Sequence, residues 1–462
     1  MIAGRRALAC FKAYDIRGRL GDELDEGVAL RIGYAFARAL GARTVVVGRD
    51  VRPTSAALTE ALIDGLVRAG ADVLDLGLCG TEEMYFATTH FGTDGGIEVT
   101  ASHNPIDYNG MKLVRRGSAP LDAASGLAAI RELAEAGVPP APTTAARGSR
   151  RPAEGARDAY VARVLSFLDL AAIRRPLRIL VNAGNGAAGP TFDAIADALA
   201  RGGVPIEFVR LHHEPDGSFP NGIPNPLLPE NQPQTGAAVV RSGADFGAAW
   251  DGDFDRCFFF DEAGTFVPGE YLVGLLAEAF LARSPGEVIV HDPRVVWNVR
   301  DAVAAAGGRA HQARTGHAFV KQALRDTGAV YGGEMSAHHY FRDFVYCDSG
   351  MIPLLMVAEL VSRRGHTLGE MLAARIAAFP SSGEINFRVA DPAAAVARVQ
   401  AALGPDAIER DATDGLGLTF ADWRFNLRAS NTEPLLRLNV EARGDPALVE
   451  QGVDRLRSLI AP

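Results

Sequence analysis

The feature that most constrains the fold of this chain is one pattern met three times. An apolar, β-branched stretch runs into a polar or glycine-rich turn, then a helix, then glycine and a second strand. The first copy is Thr44-Val45-Val46-Val47-Gly48-Arg49-Asp50, a helix over about 55–69, Gly70 and Val73-Leu74-Asp75-Leu76. The second runs from Leu177-Arg178-Ile179-Leu180-Val181-Asn182 through the turn at 183–189 and a helix to about 201, ending in Ile206-Glu207-Phe208-Val209. The third is Glu287-Val288-Ile289-Val290-His291-Asp292, a helix over about 295–306, Gly307-Gly308 and a strand near His311. Strand, helix and strand in that order build parallel or mixed sheets with helices on their faces. Three copies predict three related α/β domains. After Phe379-Pro380 the pattern changes to strands at 384–389, 418–427 and 435–440 with helices near 393–403 and 446–459, which predicts a smaller α+β domain. Linkers are expected at 139–152, where Pro, Ala, Thr and Arg cluster, and near 378–383. The expected domains are 1–147, 148–259, 260–377 and 378–462.

Length agrees, because 462 residues exceed what one core supports. A net charge of -9 leaves no basic excess to neutralise a nucleic-acid backbone, so a general nucleic-acid binder is excluded. Such a chain handles anions only by concentrating positive charge locally. No apolar stretch approaches bilayer length. Arg5-Arg6 is no twin-arginine signal, since Lys12, Asp15 and Arg17 interrupt any apolar segment after it. Cys10, Cys79, Cys257 and Cys347 lie far apart with no CxxC, which predicts buried thiols in a reducing, cytoplasmic compartment. Of 47 basic residues only Lys12, Lys112 and Lys321 are lysine. A lysine kept against that bias suits a place where a compact ammonium is needed and guanidinium will not serve.

In open α/β sheets ligands bind beyond the carboxyl ends of the strands, and the polar motifs stand after strands. Thr100-Ala101-Ser102-His103-Asn104-Pro105 follows Gly96-Ile97-Glu98-Val99 and offers a serine nucleophile or an ordinary turn. Lys112, ten residues on, offers a proton-transfer partner. Trp250-Asp251-Gly252-Asp253-Phe254-Asp255-Arg256 sets three carboxylates at alternate positions, self-repelling unless a hard cation such as Mg²⁺ or Ca²⁺ joins them. An EF-hand is excluded because Arg256 stands where that loop needs glycine and strands flank it; a solvated acidic loop is the remaining alternative. Gly332-Gly333-Glu334-Met335-Ser336-Ala337-His338-His339 offers donors and acceptors suited to sugar hydroxyls. Arg428-Ala429-Ser430-Asn431-Thr432-Glu433-Pro434 offers a phosphate cradle or a plain polar hairpin. Tyr14-Asp15-Ile16-Arg17-Gly18 and Thr315-Gly316-His317, with Lys321 one helical turn on, complete the set.

In this order the motifs resemble those of the α-D-phosphohexomutase superfamily, most closely its phosphomannomutase/phosphoglucomutase branch, over essentially the whole chain. The resemblance implies four domains around a central cleft and an isomerase that passes a phosphoryl group through phosphorylated Ser102. It implies one Mg²⁺ held by Asp251, Asp253 and Asp255 with an oxygen of phospho-Ser102. His103, Lys112 and Arg256 would line the transfer site, with Lys112 or His103 moving the proton. Glu334 and Ser336 would bind sugar hydroxyls; Arg428, Ser430, Asn431 and Thr432 would grip the phosphate not in transfer. Tyr14, Arg17, His317 and His338 match further substrate-binding positions. Hexose phosphates would be the substrates, a hexose 1,6-bisphosphate the intermediate and activator, GDP-mannose supply the pathway, and a monomer or weak homodimer the working form. Phosphoglucosamine mutases usually carry Gln where this chain has Met335, so mannose and glucose phosphates are favoured. A glucosamine- or glucose-preferring mutase and a metal-dependent sugar phosphatase are the alternatives.

Overall fold

The computed structural model describes residues 7–139, 147–429 and 435–461. Contacts divide the chain into two compact units, one running to Phe266 and including Asp343–Gly365, the other comprising Val267–Arg342 and the chain from His366 on.

The first unit holds two sheets. In the first, strands run in the order Ile16–Arg19, Tyr108–Arg115, Gly95–Val99, Thr44–Arg49, Asp72–Leu78 and Arg150–Pro152. The pairings of Thr44–Arg49 with both neighbours are parallel, whereas Tyr108–Arg115 runs antiparallel to both of its own. Val45, Val46 and Val47 are wholly buried, as a strand covered on both faces requires. Helices Glu26–Leu40 and Ser55–Arg68 pack backbone to backbone, since a Cβ at Gly33 or Gly65 would collide with the carbonyl of Leu62 or Leu30. Asp25 starts the first of these helices by accepting the Val28 N–H at 2.7 Å, and Gly41 ends it in the left-handed conformation. The second sheet orders Cys257–Phe260, Phe246–Trp250, Leu177–Asn182 and Ile206–Leu211.

The segment 343–365, which the sequence pattern assigns to the third domain, clusters with this unit. Its helix Met351–Arg364 is buried on nearly every side, and its start is anchored by Glu82 Oε1, which accepts the N–H of Gly350 and of Met351 at 3.2 Å each. Residues 150–152 depart from expectation. They are not linker but an edge strand parallel to Val73–Asp75.

In the second unit one sheet orders Arg309–Gln312, Val288–His291, Tyr331–Gly333 and His339–Phe341. The other, antiparallel throughout, orders Ile385–Arg388, Leu435–Ala442, Trp423–Ala429, Leu416–Thr419 and Glu409–Asp411. The single strand expected over 418–427 is two strands, because Phe420, Ala421 and Asp422 turn the chain between them. Helices Pro392–Leu403 and Pro446–Ile460 both begin at Asp-Pro, where Asp391 and Asp445 cap the free N–H groups and proline presets the first turn. All four cysteines are buried and unbonded to one another. No described helix is long and apolar enough to cross a membrane.

Candidate functional site

Ser102 follows the carboxyl end of Gly95–Val99 and is itself in the left-handed region, at φ 49°. A serine there is strained by about 1–3 kcal/mol and stays only where its surroundings hold it. They do. Its N–H donates to Thr100 Oγ1 at 2.8 Å and its carbonyl accepts Arg52 Nη2 at 3.0 Å. Arg52 also donates to the carbonyls of Asn104, Pro105 and Tyr108, and so ties down the whole loop. The Ser102 hydroxyl, 3% exposed, donates to Asp251 Oδ2 at 2.5 Å, accepts Arg256 Nη2 at 3.0 Å and lies 3.0 Å from His103 Nδ1. Arg256 donates to Asp251 and meets His103 as well.

Asp251, Asp253 and Asp255 leave the carboxyl end of Phe246–Trp250, and their side chains are fully buried. Gly252 makes the approach to Ser102 possible, since a Cβ there would stand 2.6 Å from the Ser102 carbonyl oxygen. Lys112, from the strand Tyr108–Arg115, reaches into the triad, donating to Asp253 Oδ2 at 2.8 Å and to Asp255 Oδ2. Burial acts to lower the Lys112 pKa, but the carboxylates of Asp253 and Asp255 outweigh it, and the ammonium is held above its ordinary range. Burial likewise acts to raise Asp253, yet Lys112 and Thr81 keep it ionised and below its usual value. His103 moves the other way, lowered first by burial and then by Arg256 and Arg17, so its ring is neutral. Arg17, paired with Asp15 at 3.3 Å, donates to the Thr100 carbonyl at 2.5 Å. Tyr14 sits half-buried in the bend before it.

The triad fits a divalent cation. One oxygen from each aspartate lies within 4.8 Å of the others. Among the described residues nothing hydrogen-bonds the buried Asp251 Oδ1 or Asp253 Oδ1. Buried carboxylate oxygens left in that state are costly, and hard oxygen donors are what Mg²⁺ takes.

The sugar-loop residues lie in the second unit. Glu334, buried, accepts the Gly316 N–H at 2.8 Å and lies 3.3 Å from Ser336 Oγ. His317 opens the helix His317–Thr327, its ring centroid 6.4 Å from that of His338, which stacks on Tyr340. Lys321, one turn on, is wholly buried. Ser336 also meets Arg294 Nη2 at 3.1 Å. Arg428, at the end of Trp423–Ala429, pairs with Glu384 at 3.0 Å. Ser430, Asn431 and Thr432 lie outside the described residues.

The structure thus gathers Ser102, His103, Lys112, Arg256, Arg17 and the three aspartates in one unit, and Glu334, Ser336, His317, His338 and Arg428 in the other. Sequence reasoning missed Arg52, Thr81, Asp292, Arg294 and Glu384. Thr81 donates to Asp253 Oδ2 at 2.6 Å from the start of Thr81–His90. Asp292 receives the Met335 N–H at 2.8 Å and Arg294 Nη2 at 2.8 Å. For Arg52 the available signal was Asp50-Val51-Arg52 directly after a strand, where Asp50 Oδ1 accepts the Arg52 N–H at 3.0 Å.

Four family models of the phosphoglucomutase/phosphomannomutase domains match in order: α/β/α domain I over 9–138, domain II over 158–264, domain III over 268–379 and the C-terminal domain over 384–459. The chain belongs to the phosphoglucomutase/phosphomannomutase family. A phosphomannomutase of Salmonella montevideo is 59% identical over 453 residues, 98% of this chain and 99% of that one. A phosphomannomutase of Escherichia coli K12 is 56% identical over 455 residues, with the same two coverages. Among solved structures, a family protein from Burkholderia thailandensis superposes with TM-score 0.85 at 34% identity, covering 98% of each chain. Three α/β/α domains and a distinct C-terminal domain are therefore this family's architecture in this chain.

Proposed function

We propose that this chain is a phosphomannomutase that interconverts mannose 1-phosphate and mannose 6-phosphate, accepts glucose phosphates as well, and works through phospho-Ser102. One observation carries the reading: the Ser102 hydroxyl is buried in a strained loop against Asp251, Arg256 and His103, in a family whose full-length relatives bear that name.

Phospho-Ser102 gives its phosphoryl group to a free hydroxyl of a hexose monophosphate. The Oγ–P bond breaks, a sugar O–P bond forms, and the hydroxyl proton ends on Ser102. The resulting 1,6-bisphosphate turns over, and its other phosphate returns to the serine. Neutral His103, 3.0 Å from Oγ, relays that one proton, from the sugar hydroxyl to Oγ when Ser102 leaves and from Oγ to the departing sugar oxygen when Ser102 attacks. Arg256 donates to Oγ and stabilises its developing charge. Lys112, held as an ammonium, offsets the charge of the triad. Asp251, Asp253 and Asp255 would hold Mg²⁺, which when bound neutralises charge on the transferring phosphoryl group. Glu334 and Ser336 take sugar hydroxyls common to mannose and glucose, while Arg428, with Ser430, Asn431 and Thr432, holds the phosphate at rest; Arg17, Tyr14, His317 and His338 complete the binding surface. The working chain is cytoplasmic, a monomer or weak homodimer, with domains at 1–147, 148–259, 260–377 and 378–462.

The test is a mutase assay with Mg²⁺, a trace of glucose 1,6-bisphosphate and mannose 1-phosphate, run beside Ser102→Ala. Mannose 6-phosphate formed without free phosphate, lost on chelation and in the variant, is the expected result. Release of inorganic phosphate instead would make the protein a sugar phosphatase, and turnover confined to glucosamine phosphates would move it to that branch.

A further inference from the structure

Three arginines of the second unit converge on one carboxylate. Glu384 receives Arg428 Nη2 at 3.0 Å, lies 3.5 Å from Arg437 Nη1 and 3.7 Å from Arg294 Nη1. Arg428 and Arg437 stand directly opposite each other on the antiparallel strands Trp423–Ala429 and Leu435–Ala442. Like charges in that position repel and destabilise the pairing unless a counter-charge lies between them. Glu384 is that counter-charge, 18% exposed at the side chain. Burial acts to raise its pKa, but the three guanidinium groups prevail and keep it ionised.

The same carboxylate belongs to a longer chain of contacts. Arg294, 4% exposed, is shared between Glu384, Asp292 and Ser336 Oγ, and Asp292 in turn receives the backbone N–H of Met335. Glu384 therefore joins the loop proposed to read sugar hydroxyls to the arginine proposed to grip the resting phosphate. The cluster also keeps donors in reserve. Among the described residues nothing accepts the buried Nε–H groups of Arg294 and Arg428.

We propose that Glu384 is a positioning residue for substrate capture: it holds Arg428 in its gripping pose against the repulsion of Arg437 and ties that pose, through Arg294, to the sugar loop at Ser336. The inference rests on the function proposed above. Without Glu384, Arg428 and Arg437 splay apart, and Arg428 leaves the position in which it meets a phosphate.

The experiment is a double-mutant cycle read by steady-state kinetics with mannose 1-phosphate: wild type, Glu384→Gln, Arg437→Val and the double variant. Valine suits the strand that carries Arg437. Glu384→Gln is expected to raise KM roughly tenfold, about 1.4 kcal/mol of lost binding, with kcat changed less than threefold. Arg437→Val removes the repelling neighbour, so the double variant is expected to recover to within about threefold of the wild-type KM. A merely structural glutamate would give no such rescue. Additive losses in the double variant, or an unchanged KM in a folded Glu384→Gln, overturn the inference. If Glu384→Gln fails to fold, Glu384→Asp is read in its place: its shorter carboxylate gives a smaller rise that Arg437→Val again reverses, and no reversal overturns the inference. A wild-type protein with no mutase activity would instead sink the function on which the inference stands.

Discussion

Replacing Lys112 by methionine tests the electrostatics of the site without relying on catalysis. The wild-type cluster sets the three carboxylates of Asp251, Asp253 and Asp255 against two cations, Lys112 and Arg256, a formal balance of minus one. The substitution makes it minus two while nearly preserving volume, and it leaves the Asp253 and Asp255 oxygens that accepted the ammonium without it in a site of 0% exposure. Removing one partner of a buried ion pair costs about 3–5 kcal/mol. At roughly 2 °C per kcal/mol for a unit of this size, the transition of the first unit should fall by about 6–10 °C in EDTA. On the proposed function Mg²⁺ would bind the folded triad only, and at a hundredfold excess over its dissociation constant would add about 2.7 kcal/mol. It would also take over charge compensation that Lys112 supplied, so its stabilising increment should be larger in the variant than in the wild type. Calorimetry of both proteins, each with EDTA and with saturating Mg²⁺, makes the comparison. A variant melting within about 2 °C of wild type in EDTA, or equal Mg²⁺ increments in the two proteins, would refute the account of Lys112 as the ammonium that holds the triad together.

Further outcomes are expected elsewhere in the molecule. The ring of His339 is wholly buried, with Nδ1 2.7 Å from the Tyr331 hydroxyl, and burial pushes its pKa from 6.5 down to about 3. A base lowered on folding is protonated first in the unfolded chain, so its contribution is complete above pH 6.5 and fades as pH falls towards 3; about 3 kcal/mol should be gone by pH 4. Urea midpoints of wild type and His339→Asn from pH 7 to 4 should converge, and parallel curves would exclude this histidine as a cause of acid loss. Gly48→Ala would press a Cβ onto Cys79 Sγ and Glu98 Oε2, both buried, and should cost about 1–3 kcal/mol in thermal unfolding. For the sugar, kcat/KM for mannose 1-phosphate and glucose 1-phosphate should agree within about a hundredfold, since a wider gap, near 2.7 kcal/mol, needs a contact at C2 beyond the roles proposed for Glu334 and Ser336.

The parts of the fold legible in sequence were those where local pattern and burial agree. The runs around Val45, Ile179 and Val288 are buried strands followed by helices because each is apolar on both faces and ends in a turn. What escaped depends on distant partners. Arg150–Pro152 carries no strand pattern and is a strand only because Val73–Asp75 presents an open edge. The turn at 420–422 was hidden by Phe420 and Trp423, whose rings stack at 4.5 Å and make the stretch read as continuous apolar strand. In the site, the aspartates announce themselves by their alternate spacing, whereas Ser102 is singled out from an ordinary turn only by the family resemblance of its motif. Arg52, Thr81 and Glu384 carry neither sign, since each acts on a carbonyl or side chain at least 40 residues away.

The charge problem posed by composition has a definite physical solution. A chain of net charge -9 meets anions with buried cations, each fixed in place by the carboxylates it faces. Around Glu384 the cations are all arginine, and planar forks with several donors each can share one carboxylate while Arg428 still offers its Nε–H to a phosphate. Between Asp253 and Asp255 the requirement is opposite. Two carboxylates must be bridged by a single compact charge that leaves their remaining oxygens open for a cation, and a guanidinium fork would occupy them. That is where this arginine-rich sequence keeps a lysine, so Lys112→Arg should conserve charge and yet weaken Mg²⁺ binding, which calorimetric titration of the two proteins would show.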